Sequence, residues 1–203
     1  EIIVKVDNSK QPNSRWYSGS GIFRNVWLET TDKLHVEHWG TYVTTPKVTA
    51  EKASVNIETR IQNDHSDSKK ATIVTAIYKE DSKVTSVTSQ ITLTAKSGLL
   101  FNDKVEIENP ILWSDENPEL YTAVTEILVD DKVVDQYKTN FGIREFKFDL
   151  KKGFILNGKQ VKIKGVCMHH DLGPLGAAIN TRAIERQLEI LKEMGVNGIR
   201  TYH

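Results

Sequence analysis

Residues 161–203, VKIKGVCMHHDLGPLGAAINTRAIERQLEILKEMGVNGIRTYH, decide the reading of the fold. Val161 and Ile163 alternate with lysines, and the apolar run continues through Gly165, Val166, Cys167 and Met168, as expected of a strand. It stops at His169, His170 and Asp171, before a loop containing Gly173, Pro174 and Gly176. Asn180 or Thr181 can cap the helix that follows, since each side-chain oxygen can accept from a free first-turn amide. Ile184, Leu188 and Leu191 keep helical spacing, with Glu185, Glu189 and Glu193 on the outer side. A helix over 182–194 would be about 20 Å long, enough to return the chain for a parallel strand over 196–202. Gly195 supplies the left-handed stop between them.

This is one strand–helix–strand unit, with His169 and His203 at the carboxyl ends of its strands. Ligand sites in parallel α/β architectures gather at such ends, because loops and exposed side chains converge there. Eight units close a barrel, so this one is expected to open a larger domain. Gly165, Cys167 and His169 share a parity. Arg200 and His203 do not, so both reach one site only if the strand ends between them.

Working outward, residues 47–143 carry short strands separated by polar breaks: 53–61, 71–78, 84–93, 105–107, 120–128 and 133–137, with one break at Ser97 and Gly98. Val55, Ile57, Thr59 and Ile61 alternate with Asn56, Glu58 and Arg60, the pattern of a half-buried antiparallel strand. About seven such strands in about a hundred residues predict an immunoglobulin-like β-sandwich. Pro46 is expected to open this region. Residues 144–160 predict a hairpin, with turns at 151–153 and 157–158, that feeds the strand at 161. Residues 1–44 are expected to hold two or three strands, over 2–6, 22–28 and 34–39. Arg15, Trp16 and Tyr17 among them could offer a sugar a stacking face and a hydrogen-bonding arm; the residues by themselves favour the alternative, that they seal the edge of a sandwich core.

Lysines plus arginines number 27, as do aspartates plus glutamates. No net field draws the chain to nucleic acid or anionic membrane. No run reaches the length of a membrane span, and both ends read as cuts in a longer chain. The single cysteine, Cys167, excludes an internal disulfide framework and reads as a small buried hydrophobe. A metal held by His169, His170, Asp171 and His203 is chemically conceivable. Adjacent histidines on a strand point to opposite faces, which works against it. A structural role in bracing loop 172–180 is a further alternative, preferred for His170.

Four segments carry a family resemblance: RWYSGSGIFRNVWL (15–28), NPILWSDENPELYTAVTEI (109–127), FGIREFKFD (141–149), and FILNGKQVKIKGVCMHHDLGPLGAAIN with LKEMGVNGIRTYH after 153. In this order and spacing they resemble glycoside hydrolase family 2, most closely its β-galactosidase branch. The resemblance implies a mainly β fold: a partial sugar-binding jelly roll (1–44), an immunoglobulin-like β-sandwich (45–143), and a bridging hairpin with the first βαβ unit of a (β/α)8 barrel (144–203). It implies a retaining β-glycosidase, most closely a β-galactosidase, acting on terminal β-galactosides or related oligosaccharides. His169, Arg200 and His203 fall on the family's substrate-binding positions, and Arg15, Trp16 and Asp171 are further candidate sugar contacts. An aspartate that some members place before the SGIFR run is missing here, where Arg15 stands nearby. The catalytic carboxylates are expected beyond residue 203, leaving the chain inactive by itself. No cofactor is evident, and a divalent or monovalent cation in the parent protein stays open. A homo-oligomer is expected, and the compartment is left open. The alternative is a non-catalytic carbohydrate-binding or structural sandwich.

Overall fold

A computed structural model describes residues 1–10, 21–22, 24–169 and 171–201. The chain divides into two compact units: Glu29–Val161, and Glu1–Leu28 together with Lys162–His203. The protein is mainly β, with an immunoglobulin-like domain followed by the start of a TIM barrel domain.

The first unit is a sandwich. One sheet holds β1 (Leu34–Val48), β2 (Lys52–Asn63) and β5 (Ser97–Glu108) in the order β1-β2-β5. The other holds β3 (Lys69–Lys79), β4 (Ser82–Leu93), β6 (Tyr121–Val129) and β7 (Lys132–Phe141) in the order β4-β3-β6-β7. The alternation read at 55–61 is the inward face of β2: Val55, Ile57, Thr59 and Ile61 are all buried. Two apolar clusters result. One is built on Val55, Ile57, Ile77, Ile107 and Ile143; the other on Leu34, Ile61, Ile73, Leu93 and Ile127.

At the positions between the clusters the inward residues turn polar: Thr59 on β2, Thr75 on β3 and Thr125 on β6, with Asp103 on β5. Thr75 and Thr125 are register partners. The Asp103 carboxylate accepts from Thr75 Oγ1 at 2.7 Å and from Ser89 Oγ at 3.4 Å. Burial pushes this carboxyl above the ordinary range, and the two hydroxyl donors only partly offset that.

The sandwich begins earlier than the sequence suggested. The strand expected over 34–39 is the first part of β1, paired antiparallel to β2, and Pro46 lies inside that strand. It is tolerated there because the pairing is irregular between Thr44 and Lys47, on an edge strand. β5 is also longer than the expected 105–107. The break placed at Ser97 and Gly98 falls instead just before them, where Lys96 has φ 54. Residues 2–6 and 22–28 were expected as strands. Residues 2–6, 22 and 24–28 form none, and Ile2, Ile3, Trp27 and Leu28 are exposed. No strand among the described residues bonds them, so their apolar character yields no sheet.

β8 (Phe146–Asp149), β9 (Gly153–Leu156) and β10 (Lys159–Gln160) form the expected hairpin as a three-stranded sheet. It is tied to the segment before β6. Asn157 Nδ2 donates to the Trp113 carbonyl, and its Oδ1 accepts from the Glu145 amide. The Arg144 guanidinium lies 4.6 Å from the Trp113 ring centre. A Cβ at Gly142 would come within 2.9 Å of Trp113, so this close approach requires glycine.

Candidate functional site

The second unit contains β11 (Gly165–Met168), α1 (Thr181–Glu193) and β12 (Gly198–Thr201), and the two strands pair in parallel. Asn180 is the cap: its side chain accepts from the Ala183 amide at 2.9 Å. Gly195, with φ 82, turns the chain out of the helix. The strand expected from 161 starts only at Gly165. Asn197 occupies the backbone of the preceding residues instead: its Oδ1 accepts from the Lys164 amide and its Nδ2 donates to the Lys162 carbonyl. Its own amide donates to the Lys164 carbonyl. The sequence reading passed over Asn197, whose only signal was an amide side chain just before a strand.

His169 stands one residue beyond β11 and is half-buried. Its carbonyl accepts from the Asp171 amide at 2.9 Å, which turns the chain sharply at the strand end. Asp171 is also half-buried, at the start of the loop. That loop folds on itself as a 3₁₀ turn over Gly173–Leu175, with the Leu172 amide donating to the Gly176 carbonyl. Arg200 pairs in register with Cys167, so these two project to one face of the sheet. Cys167 was read as buried but is exposed. β11 and β12 bond only to each other among the described strands.

His170 and His203 lie outside the described residues, as do Arg15, Trp16 and Tyr17. Among the described residues, no group of three or more His, Cys, Asp or Glu side chains is arranged to hold a metal ion. No described helix is long and apolar enough to cross a membrane. Two carboxylates of α1 are engaged on its exposed side: Arg182 bonds both oxygens of Glu189, at 2.8 and 3.0 Å, and reaches Glu185 at 3.4 Å. The strand end thus offers an imidazole and, one strand over, a guanidinium: hydrogen-bonding groups suited to hydroxyls and anions.

Comparison with known proteins agrees with this architecture. The sequence profile of the glycosyl hydrolases family 2 matches residues 34–144, and that of the family 2 TIM barrel domain matches residues 148–203. A β-galactosidase of Bacteroides ovatus, BoGH2A, is 49% identical over 203 residues, covering 100% of this chain and 24% of its own length. A β-glucuronidase of Formosa agariphila is 32% identical, covering 100% of this chain and 23% of its own. The crystal structure of a family 2 member from Bacteroides cellulosilyticus superposes with a TM-score of 0.88 at 43% identity, over 93% of this chain and 24% of that one. The chain spans about a quarter of the length of these relatives. By its sandwich, its hairpin and the βαβ unit that opens a TIM barrel domain, the chain belongs to family 2 of the glycosyl hydrolases.

Proposed function

We propose that the chain is part of a retaining β-glycosidase whose substrate is a terminal β-galactoside. The choice of galactoside rests on one observation: 49% identity to the Bacteroides β-galactosidase, against 32% to the β-glucuronidase, both over the whole chain. In this reading His169 and Arg200, with His203, bind the sugar at the carboxyl ends of the first two barrel strands. Asp171 lines the same loop. Arg15 and Trp16 would contribute from the segment that precedes the sandwich, which itself begins with β1 at Leu34. Imidazole and guanidinium groups there would hydrogen-bond sugar hydroxyls, and such bonds accelerate the reaction where they tighten toward the transition state.

Retaining hydrolysis needs a carboxylic acid and a carboxylate about 5 Å apart on either side of the glycosidic bond. The α1 glutamates bonded to Arg182 sit on an exposed helix face, and we assign the catalytic pair to polypeptide outside these 203 residues. The 203-residue chain alone is then expected to leave aryl β-galactosides intact. The deciding experiment uses the intact polypeptide that contains it, with 4-nitrophenyl β-galactoside and β-glucuronide in parallel. The galactoside should be the faster substrate. His169→Ala should lower kcat/KM by roughly 10²-fold or more, as for loss of one donor to the transition state, with an unchanged melting temperature. Faster turnover of the glucuronide would overturn the galactoside reading; an effect of His169→Ala confined to stability would overturn the role given to His169.

A further inference from the structure

One segment of the sandwich has a conformation that packing does not explain. At the first irregularity of β1, between Val36 and Thr41, the chain leaves its register with β2. Trp39 lies there with φ 54, a left-handed conformation that a bulky residue adopts only at a steric cost. Its indole is nevertheless 84% exposed, so burial returns little of that cost. Strain of this kind persists only where the surroundings over-determine it.

They do so here from several sides. The Trp39 amide donates to the Tyr137 hydroxyl of β7 at 2.9 Å, and the Val36 amide donates to Asp135 Oδ2 of the same strand at 2.8 Å. Both ends of the irregular segment are thereby pinned to the facing sheet. Gly40 follows because a Cβ there would lie 2.6 Å from the Glu37 carbonyl oxygen. The His38 ring stacks on the indole, 5.2 Å between centres and 24° between planes. Its Nδ1 lies 2.7 Å from Glu29 Oε2, which fixes the ring in turn. The fold therefore holds an aromatic ring in solvent on a pinned backbone, with an imidazole stacked against it and a carboxylate on the far side of that imidazole.

We propose that Trp39, backed by His38 and Glu29, is a carbohydrate-binding platform on the sandwich, for galactosyl residues of a polysaccharide. Galactose suits it because its axial 4-hydroxyl leaves the C–H groups of carbons 3, 4 and 5 together on one face. That apolar face stacks on an aromatic ring, while the ring-edge hydroxyls need polar partners such as Glu29 and His38 supply. A rigid two-torsion aromatic loses little conformational entropy when it binds. The choice of galactose, though not the existence of the platform, rests on the β-galactosidase reading above.

The test is affinity electrophoresis of the intact polypeptide in gels containing soluble β-galactan, alongside turnover of 4-nitrophenyl β-galactoside. Trp39→Ala should weaken retention by about tenfold, Trp39→Phe should restore most of it, and kcat/KM on the small substrate should stay within about twofold. Oligomeric mass should not change. Unaltered retention in Trp39→Ala, or no retention of the unsubstituted protein, would overturn the proposal. So would a change of oligomeric mass on substitution, which would make a second copy the occupant of this surface. Equal loss of retention and melting temperature in both variants would make Trp39 structural and would equally overturn it. If galactan retains the unsubstituted protein but not Trp39→Ala, and the protein is inert toward aryl β-galactosides, the enzymatic reading fails and the platform stands.

Discussion

The sandwich and the βαβ unit were equally legible as secondary structure, yet they differ in what they bury. Inward residues of the sandwich such as Leu34, Val55, Ile61, Ile73 and Ile127 are fully buried between two sheets. Helix α1 has the same quality of amphipathic pattern and a good cap, but none of its residues is buried. Two strands give a helix too small a face to cover, whereas three strands against four enclose a core. The sandwich carries its own stabilising surface. The βαβ unit buries Ile179 in the loop before α1, and its helix keeps a cap and a half-covered stripe.

The largest test of that contrast is a pair of truncations. Ile73→Ala in the sandwich core should cost about 2–5 kcal/mol in chemical denaturation, as for other large-to-small changes in packed cores. Leu188→Ala on α1 should cost less than about 1 kcal/mol in the isolated chain, since its side chain remains partly in water. Comparable costs would mean that α1 is covered in solution, and would break the comparison. A smaller effect comes from the cap. Asn180→Ala removes the acceptor of the Ala183 amide and should cost α1 about 1 kcal/mol, read by amide hydrogen exchange confined to that helix. Spread of the exchange into β3 or β6 would show the two units unfolding together.

The smallest signal is one of pH. The carboxyl of Asp103 is raised in the folded state by burial, so the unfolded chain releases this proton first. Its share of stability is therefore fully present below the unfolded value and is lost as pH rises toward the folded one. Exposed carboxylates shift the other way: Asp32, which accepts from the Leu34 amide, and Asp149, which accepts from the Lys152 and Lys151 amides, favour folding as pH rises. The difference between the protein and Asp103→Asn isolates the buried group. That difference should change as pH rises from the unfolded carboxyl's range toward the raised folded one and favour the asparagine form at higher pH. A flat difference would show Asp103 to be better solvated than its place between the two clusters implies.

Alternation at 55–61, helical spacing at 184–191, a cap at Asn180 or Thr181 and Gly195 after the helix were sufficient to place β2, α1 and its two ends. In each, the local pattern and the tertiary demand agree. The resemblance, likewise, needed only motif order. What the sequence could not supply was partnership. Residues 2–6 are as apolar as a strand and form none, because a strand exists only when another bonds it and no described strand does so here. Pro46 reads as a break, yet an irregular edge strand absorbs it. Residues 161–164 look like strand, but Asn197, more than thirty positions away, takes up their backbone groups. Trp39 looked like the end of a strand until Tyr137 of the other sheet was seen to hold it in the left-handed region. Period and capping are properties of a few neighbouring residues, and sequence carries them. Pairing, strain and exposure depend on groups brought together from distant parts of the chain, so only the folded structure decides them.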